Sequence, residues 1–292
     1  MGQYSIKELE KLSGIKAHTI RIWEKRHHIV EPQRTDTNIR LYSDDDLKKI
    51  INVSLLNTNG IKISRIADMT AEEINGKILE LSEHKTDTLI FIDQLIVAMV
   101  DLDEEKFERL LSGLILRFGF ERTVTEIIYP FMEKIGVLWQ TENVTPAQEH
   151  FISHLIRQKL IVAIDGLPVT PTIPKRVLLY LPENEWHELG LLFFHYIVRK
   201  AGYKTIYLGQ SVPFKDVTSV VQTHNPDIII TSIISSPFGT KVEEYLKQLA
   251  TALPSRKVLV SGYQTRYLER NFFENIEIFR NVLDLKQLLS IA

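Results

Sequence analysis

The chain has 292 residues, too many for one ordinary core and suited to two or three domains. Hydrophobic residues make up 44% and charged ones 25%, and the net charge is -2, an ordinary globular balance with no polyanion signature of its own. The absence of cysteine excludes disulfides, thiolate metal sites and a cysteine nucleophile, and it suits the cytosol.

The polar N-terminus carries no secretory signal pattern. The longest apolar stretch, Leu89 to Leu102, is cut by Asp93, Gln94 and Asp101. It falls short of the roughly 20 apolar residues of a membrane span and reads as a buried helix. The expectation is a cytoplasmic protein with no membrane partner. Charge is uneven: residues 1–70 hold 12 Lys/Arg against 9 Asp/Glu, while the remainder holds 23 against 28. A mildly basic end on an acidic body fits contact with a polyanion at that end.

In chain order, a first block covers residues 1–75. Ile6, Leu9 and Leu12 recur at helical spacing, and Ser13-Gly14 breaks that helix. A second helix runs through Thr19 to Lys25. Pro32 and the polar run Arg34–Asn38 form a loop, and Asp44-Asp45-Asp46 opens a further helix, where its dipole favours acidic groups. Helix, glycine turn, helix and wing make a winged helix-turn-helix. The second helix offers Lys16, His18, Thr19, Arg21 and Lys25 to phosphates and base edges of double-stranded DNA. Trp23 reads as mostly core, with its indole N–H directed to a phosphate.

Residues 76–165 are helical throughout and read as a four-helix bundle, with Pro130 and Pro146 at helix starts or kinks. Asp165 to Pro174 has a linker composition. Residues 176–292 alternate short apolar runs, 177–181, 205–208, 228–230, 258–260 and a weaker 276–279, with helices over 189–200, 214–224, 242–252 and 286–291. That alternation predicts a doubly wound parallel sheet, Rossmann-like, so the fold class is multidomain α and α/β. Ligands bind such sheets at the carboxyl ends of the strands.

Two histidine clusters carry chemistry. Glu185-Trp186-His187-Glu188-Leu189-Gly190 sits on the loop after the first strand, at that ligand edge. Glu185 can accept a hydrogen bond from the His187 ring, which fixes the tautomer of a metal-bound histidine, and Gly190 lets a bulky group approach the backbone. On the bundle, Trp139, Glu149 and His150 form a W-x9-E-H string. Two imidazoles from different domains can face a metal-bearing cofactor from opposite sides. No catalytic nucleophile, acid–base pair or phosphate-binding glycine loop is visible, so no enzyme is expected.

The first 70 or so residues resemble the MerR family of regulators, through Tyr4-Ser5-Ile6, Thr19-Ile20-Arg21-Ile22-Trp23-Glu24-Lys25, Pro32-Gln33-Arg34-Thr35 and Arg40-Leu41-Tyr42. The resemblance implies DNA contacts from Arg34, Arg40 and Tyr42 as well, and a dimer reading two half-sites. It departs at Asn38 and at His27, where the family has glycine; Asn also tolerates left-handed backbone. No heptad run follows Gly60, so the dimer contact must differ from the family's long helix.

The third block resembles the cobalamin-binding signature D-x-H-x-x-G, S-x-L, G-G. Here 41 residues separate Gly190 from Ser232-Ile233-Ile234, and 26 more separate Ile234 from Ser261-Gly262. Glu185, Ile234 and Ser261 replace the family's Asp, Leu and first Gly. The resemblance implies that His187 is the lower cobalt ligand and that the nucleotide tail passes Ser232 and Gly262. Taken with the bundle string, the chain resembles the CarH/LitR group of photoreceptor repressors. That likeness implies adenosylcobalamin as cofactor, Trp139 against the adenosyl group, Glu149 helping to hold it, and His150 as upper cobalt ligand after light. The implied protein is a cytoplasmic repressor on operator DNA, a dimer or tetramer that depends on cofactor and light. A cobalamin sensor without light and, further off, a corrinoid carrier stay open.

Overall fold

The computed structural model describes residues 3–84, 88–139, 144–168, 170–235 and 241–291, with the side chains of 79, 82–84 and 137–139 outside that description. The chain divides into two compact units, Met1–Leu155 and Ile156–Ala292.

In the first unit, Ser5 and Glu8 close a capping box on α1 (Ile6–Ser13), which stops at Gly14 in the left-handed region, φ 71°. Glu10 accepts from the Ala17 amide at 3.0 Å, starting α2 (Ala17–His27). The left-handed residue that ends α2 is His28, φ 50°, one position beyond the His27 departure marked in the sequence. A short antiparallel hairpin follows, β1 (Gln33–Arg34) and β2 (Arg40–Leu41), and its turn places Asn38 at φ 62°. Ser43 caps α3 (Asp44–Thr58) in a second capping box with Asp46. Leu9, Leu12, Ile20, Trp23, Leu47 and Ile50 form the core beneath. After α4 (Ile63–Ala67), α5 runs Ala71–His84, so the expected boundary at 75/76 falls inside a helix.

Helices α6 (Thr88–Asp101), α7 (Glu104–Phe118), α8 (Phe120–Thr123) and α9 (Tyr129–Trp139) continue this unit. The apolar run expected to be a buried helix is α6, buried from Ile90 to Met99. Its Asp93 accepts from Lys134 Nζ at 3.0 Å. A π-helical turn, Val124–Ile128, lies between α8 and α9, where the hydrogen-bond ladder meets Pro130, which has no N–H. Helix α6 also docks on α3: Lys48 pairs with Asp101 at 2.6 Å, and Gln94 donates to Asn52 at 3.3 Å. This packing gathers the first two blocks of the sequence into one unit. Helix α10 (Pro146–Asp165) starts at Pro146, in the first unit, and ends in the second.

The second unit is a six-stranded sheet in the order β4-β3-β5-β6-β8-β7. Its strands are β3 (Ile173–Pro182), β4 (Tyr203–Val212), β5 (Ile228–Ser232), β6 (Lys257–Ser261), β7 (Asn271–Phe273) and β8 (Ile276–Ile278). All pairings are parallel except β7 with β8, and β7 is a strand the sequence did not announce. The connecting helices are α11 (Leu189–Lys200), α12 (Phe214–His224), α13 (Val242–Ala252) and α14 (Val282–Leu289). The first three match the expected ranges. The last begins earlier than expected because Asn281 caps it, accepting from the Asp284 amide at 2.9 Å.

Side chains alternate across the sheet. Leu178, Tyr180, Ile229, Val258 and Val260 pack on Val217 and Val221 of α12 and on Leu246 and Leu249 of α13. The intervening Leu179, Ile230, Ser232, Leu259 and Ser261 therefore point to the other face, that of α11. There Phe194 meets Phe279 edge-on, ring centroids 4.9 Å apart.

Ser43→Ala removes the acceptor of the Asp46 amide at the start of α3 and is expected to cost about 1 kcal/mol. Urea unfolding of the two proteins measures it.

Candidate functional site

Strand order reverses at β3: the chain leaves it for β4 on one side and returns to β5 on the other. Such switch points open a crevice at the carboxyl ends of the strands. The loops after β3 and β5 meet there through one carboxylate. Glu185 is completely buried. Its Oε1 lies 2.6 Å from His187 Nδ1 and accepts from the His187 amide at 3.1 Å. Its Oε2 accepts from the amides of Ile234 and Ser235, each at 2.8 Å, and from Ser235 Oγ at 3.0 Å.

Burial alone would push the Glu185 carboxyl up. The hydrogen bonds from the His187 ring and amide, and from Ser235 and Ile234, outweigh it and hold the group down at about 2. It is therefore an anion at neutral pH, and an anion beside Nδ1 keeps the proton on that nitrogen. The lone pair then sits on Nε2, which suits metal ligation. The His187 side chain is 58% exposed. A Cβ built on Gly190 would meet nothing within 4 Å, so there is open space over the backbone beside it.

The loop is braced from below as well. Asn184, at φ 65°, donates to Ser211 Oγ at 3.0 Å, and the Ser211 amide donates to the Glu185 carbonyl at 3.2 Å. Glu188, next to His187, is buried and pairs with Arg157 of α10; Tyr207 donates to its other oxygen at 3.4 Å. Beneath, His195 stacks on Tyr207, centroids 4.8 Å apart, and burial, with Arg199 nearby, pulls its pKa down to about 4.

Ser232 and Ser261 are register partners at the ends of β5 and β6, both buried and on the same face. Gly262, at φ 110°, is needed for a reason the sequence did not show. A Cβ there would lie 2.3 Å from the Ile233 carbonyl oxygen and 2.5 Å from its nitrogen. The loops are zipped at that point: the Ile233 amide donates to Ser261 O at 2.9 Å, and the Gln264 amide to Ile233 O at 3.1 Å.

On α10, His150 Nδ1 stands 3.1 Å from Glu149 Oε2, and Ser153 donates to Glu149 Oε1 at 2.6 Å. The His150 side chain is 68% exposed, and His154 follows one turn on, ring centroids 6.3 Å away. The side chain of Trp139 lies outside the described residues.

At the other end of the chain, Lys16, His18, Arg21, Lys25 and Arg34 are exposed, and Thr19 and Arg40 partly so. Trp23 and Tyr42 are not on that face: both are buried in the core. Glu24 gathers the wing instead. It accepts from Arg40 Nε at 2.9 Å and Tyr42 OH at 3.4 Å, with Arg34 3.9 Å away. Burial and then Glu24 push the Tyr42 hydroxyl up to about 12. Arg40 and Tyr42 thus set the wing on α2.

An imidazole fixed by a buried carboxylate stands beside open backbone and small side chains at a switch point. Comparisons with known families point to a cobalamin-type cofactor for this chain. Residues 4–73 match the MerR HTH family of regulatory proteins, and residues 91–163 and 175–283 each match a B12-binding domain. The chain thus combines a MerR-type helix-turn-helix region with two B12-binding domain regions.

Among individual proteins, it is similar to the HTH-type transcriptional repressor CarH of Myxococcus xanthus, 26% identical over 257 residues, covering 86% of this chain and 85% of that one. The repressor CarA of Myxococcus xanthus is 24% identical over 263 residues, covering 89% and 87%. The monomethylamine corrinoid protein of Methanosarcina barkeri shares the fold, with a TM-score of 0.57 at 14% identity over 69% of this chain and 98% of that one.

Two substitutions test this geometry. The shift of Glu185 from 4.5 to about 2 corresponds to about 3 kcal/mol of stability. A depressed carboxyl stabilises above its unfolded pKa and loses that contribution as pH falls through its folded one. Unfolding free energies of wild type and Glu185→Gln are therefore expected to differ most at neutral pH and to converge from pH 4.5 down towards about 2. Gly262→Ala is expected to cost about 1–3 kcal/mol from its backbone region alone, before the clash with Ile233. Its thermal melt would show a clear drop.

Proposed function

We propose that this protein is a transcriptional repressor that senses light through adenosylcobalamin. The observation that carries the reading is the His187 ring held by the buried Glu185 anion, itself anchored on Ile234 and Ser235. Adenosylcobalamin supplies a cobalt–carbon bond that visible light breaks. His187 would hold the cobalt through Nε2. Ser232, Ile234, Ser261 and Gly262 border the nucleotide tail. Trp139 and Glu149 would hold the adenosyl group, and His150 would bind the cobalt in the illuminated protein.

The switch lies in a difference between two states. In the dark the adenosyl-loaded protein would assemble as an oligomer on operator DNA in the cytoplasm. Lys16, His18, Arg21, Lys25 and Arg34 hold the DNA. In the illuminated protein His150 would be bound to cobalt, and that bond would act on the helix that carries it. A bond present in only one state is the differential interaction such a switch requires. Loss of the oligomer removes multivalent contact with the two half-sites, which weakens DNA binding steeply.

A second reading, a cobalamin sensor without light, is favoured by one observation: both Glu149 oxygens are taken by its own helix, through Ser153 and His150.

The deciding experiment adds adenosylcobalamin to apoprotein in the dark, followed by size-exclusion chromatography with absorbance before and after green light. A dark oligomer that dissociates on illumination with a spectral change is the expected outcome. Bound cofactor with no change in size selects the sensor reading. No binding at all rejects both.

A further inference from the structure

We infer that Arg266 binds the phosphodiester of the cofactor's nucleotide tail; the inference rests on the cofactor reading above and adds the residue that recognises the tail's charge.

Arg266 follows the end of β6 by a single turn. After Gly262 the chain makes one 3-10 turn, Tyr263–Thr265, and reaches Arg266. That turn is held on both sides. Thr265 Oγ1 donates to the Gly262 carbonyl at 2.9 Å, and the Gln264 side chain donates to the Ile234 carbonyl at 3.2 Å. The backbone of Arg266 is thus placed by the same two loops that carry Ser232, Ile234, Ser261 and Gly262.

Its guanidinium is prepared for an anion. The guanidinium carbon lies 3.3 Å from the Tyr263 ring centroid and 4.5 Å from that of Tyr267. Those rings are themselves 56% and 84% exposed, so they form a surface feature at the ligand edge and do not belong to the core. Stacking against aromatic rings strips water from the flat face of a guanidinium and leaves its in-plane N–H edge for a partner. That edge lacks a partner: Arg266 Nε is buried with no hydrogen bond, and no described residue forms an ion pair with Arg266. A buried donor without an acceptor is costly. An anion arriving side-on, engaging Nε and one Nη together, satisfies it, and phosphate has the oxygen spacing for that fork.

The cofactor has one such group. The corrin periphery carries neutral amides, and the tail carries a single phosphodiester. A tail passing Ser232 and Ser261 brings its negative charge to the strand end where this arginine stands.

The test uses the full chain and two corrinoids in the dark: adenosylcobalamin, and adenosylcobinamide, which lacks the nucleotide tail and its phosphate. Affinities are measured by absorbance titration for wild type, Arg266→Gln and Arg266→Lys, with thermal melts of each apoprotein to confirm folding. Arg266→Gln is expected to weaken adenosylcobalamin about 10- to 100-fold, the scale of a charged hydrogen bond, and to leave adenosylcobinamide unchanged. Arg266→Lys keeps the charge without the fork and is expected to fall between. Wild-type affinity for adenosylcobalamin in Arg266→Gln, or an equal loss for both corrinoids, overturns the inference. Wild-type protein that binds neither corrinoid overturns the cofactor reading, and the inference with it.

Discussion

The Glu185 carboxylate organises the second unit's ligand edge. A buried charge is expensive unless every lone pair is used. Here one oxygen serves His187 twice, while the other collects two amides and a hydroxyl from the loop after β5. The arrangement solves two problems together. It satisfies the anion without a cation, and it ties the imidazole to the neighbouring strand's loop as well as to its own. A histidine anchored only by its backbone would hold neither tautomer nor direction.

The remaining parts of that edge depend on this tie. Once Ile234 and Ser235 are bound to Glu185, the loop after β5 lies close enough for Ile233 to meet the loop after β6. Gly262 is the consequence, because no side chain fits against that backbone. The two buried serines then sit side by side on the α11 face of the sheet. In the first unit Glu24 has a comparable role at smaller scale, collecting Arg40 and Tyr42 so that the wing is set against α2.

Much of this was legible in the sequence, and the exceptions have physical causes. Helices α11, α12 and α13 stood out because their apolar periodicity is bounded by loops of clear composition. The E-x-H-x-x-G string was legible because Glu185 and His187 are two residues apart. The other half of Glu185's role was not, since Ser235 is 50 residues away and contributes a backbone amide that no side-chain pattern records. Strand β7 is three residues long and is defined by a non-local antiparallel partner, so periodicity had nothing to read. Tyr42 looked like a contact residue by family position, yet its ring is core and its hydroxyl answers Glu24. The union of the first two blocks depends on Lys48 meeting Asp101, 53 residues on, which a linear reading cannot anticipate.

Helix α10 is one continuous element with two different duties. Glu149 and His150 lie near its start, and Arg157, which grips the glutamate beside His187, lies seven residues after His150. Seven residues is nearly two full turns, so the histidine and the arginine share one face. Adding or removing one residue between them would turn the two side chains about 100° apart around the helix axis and would displace the buried Ile152, Leu155 and Ile156 that lie between them. This part of the sequence has to preserve the spacing along α10 together with the apolar residues that bury its inner face.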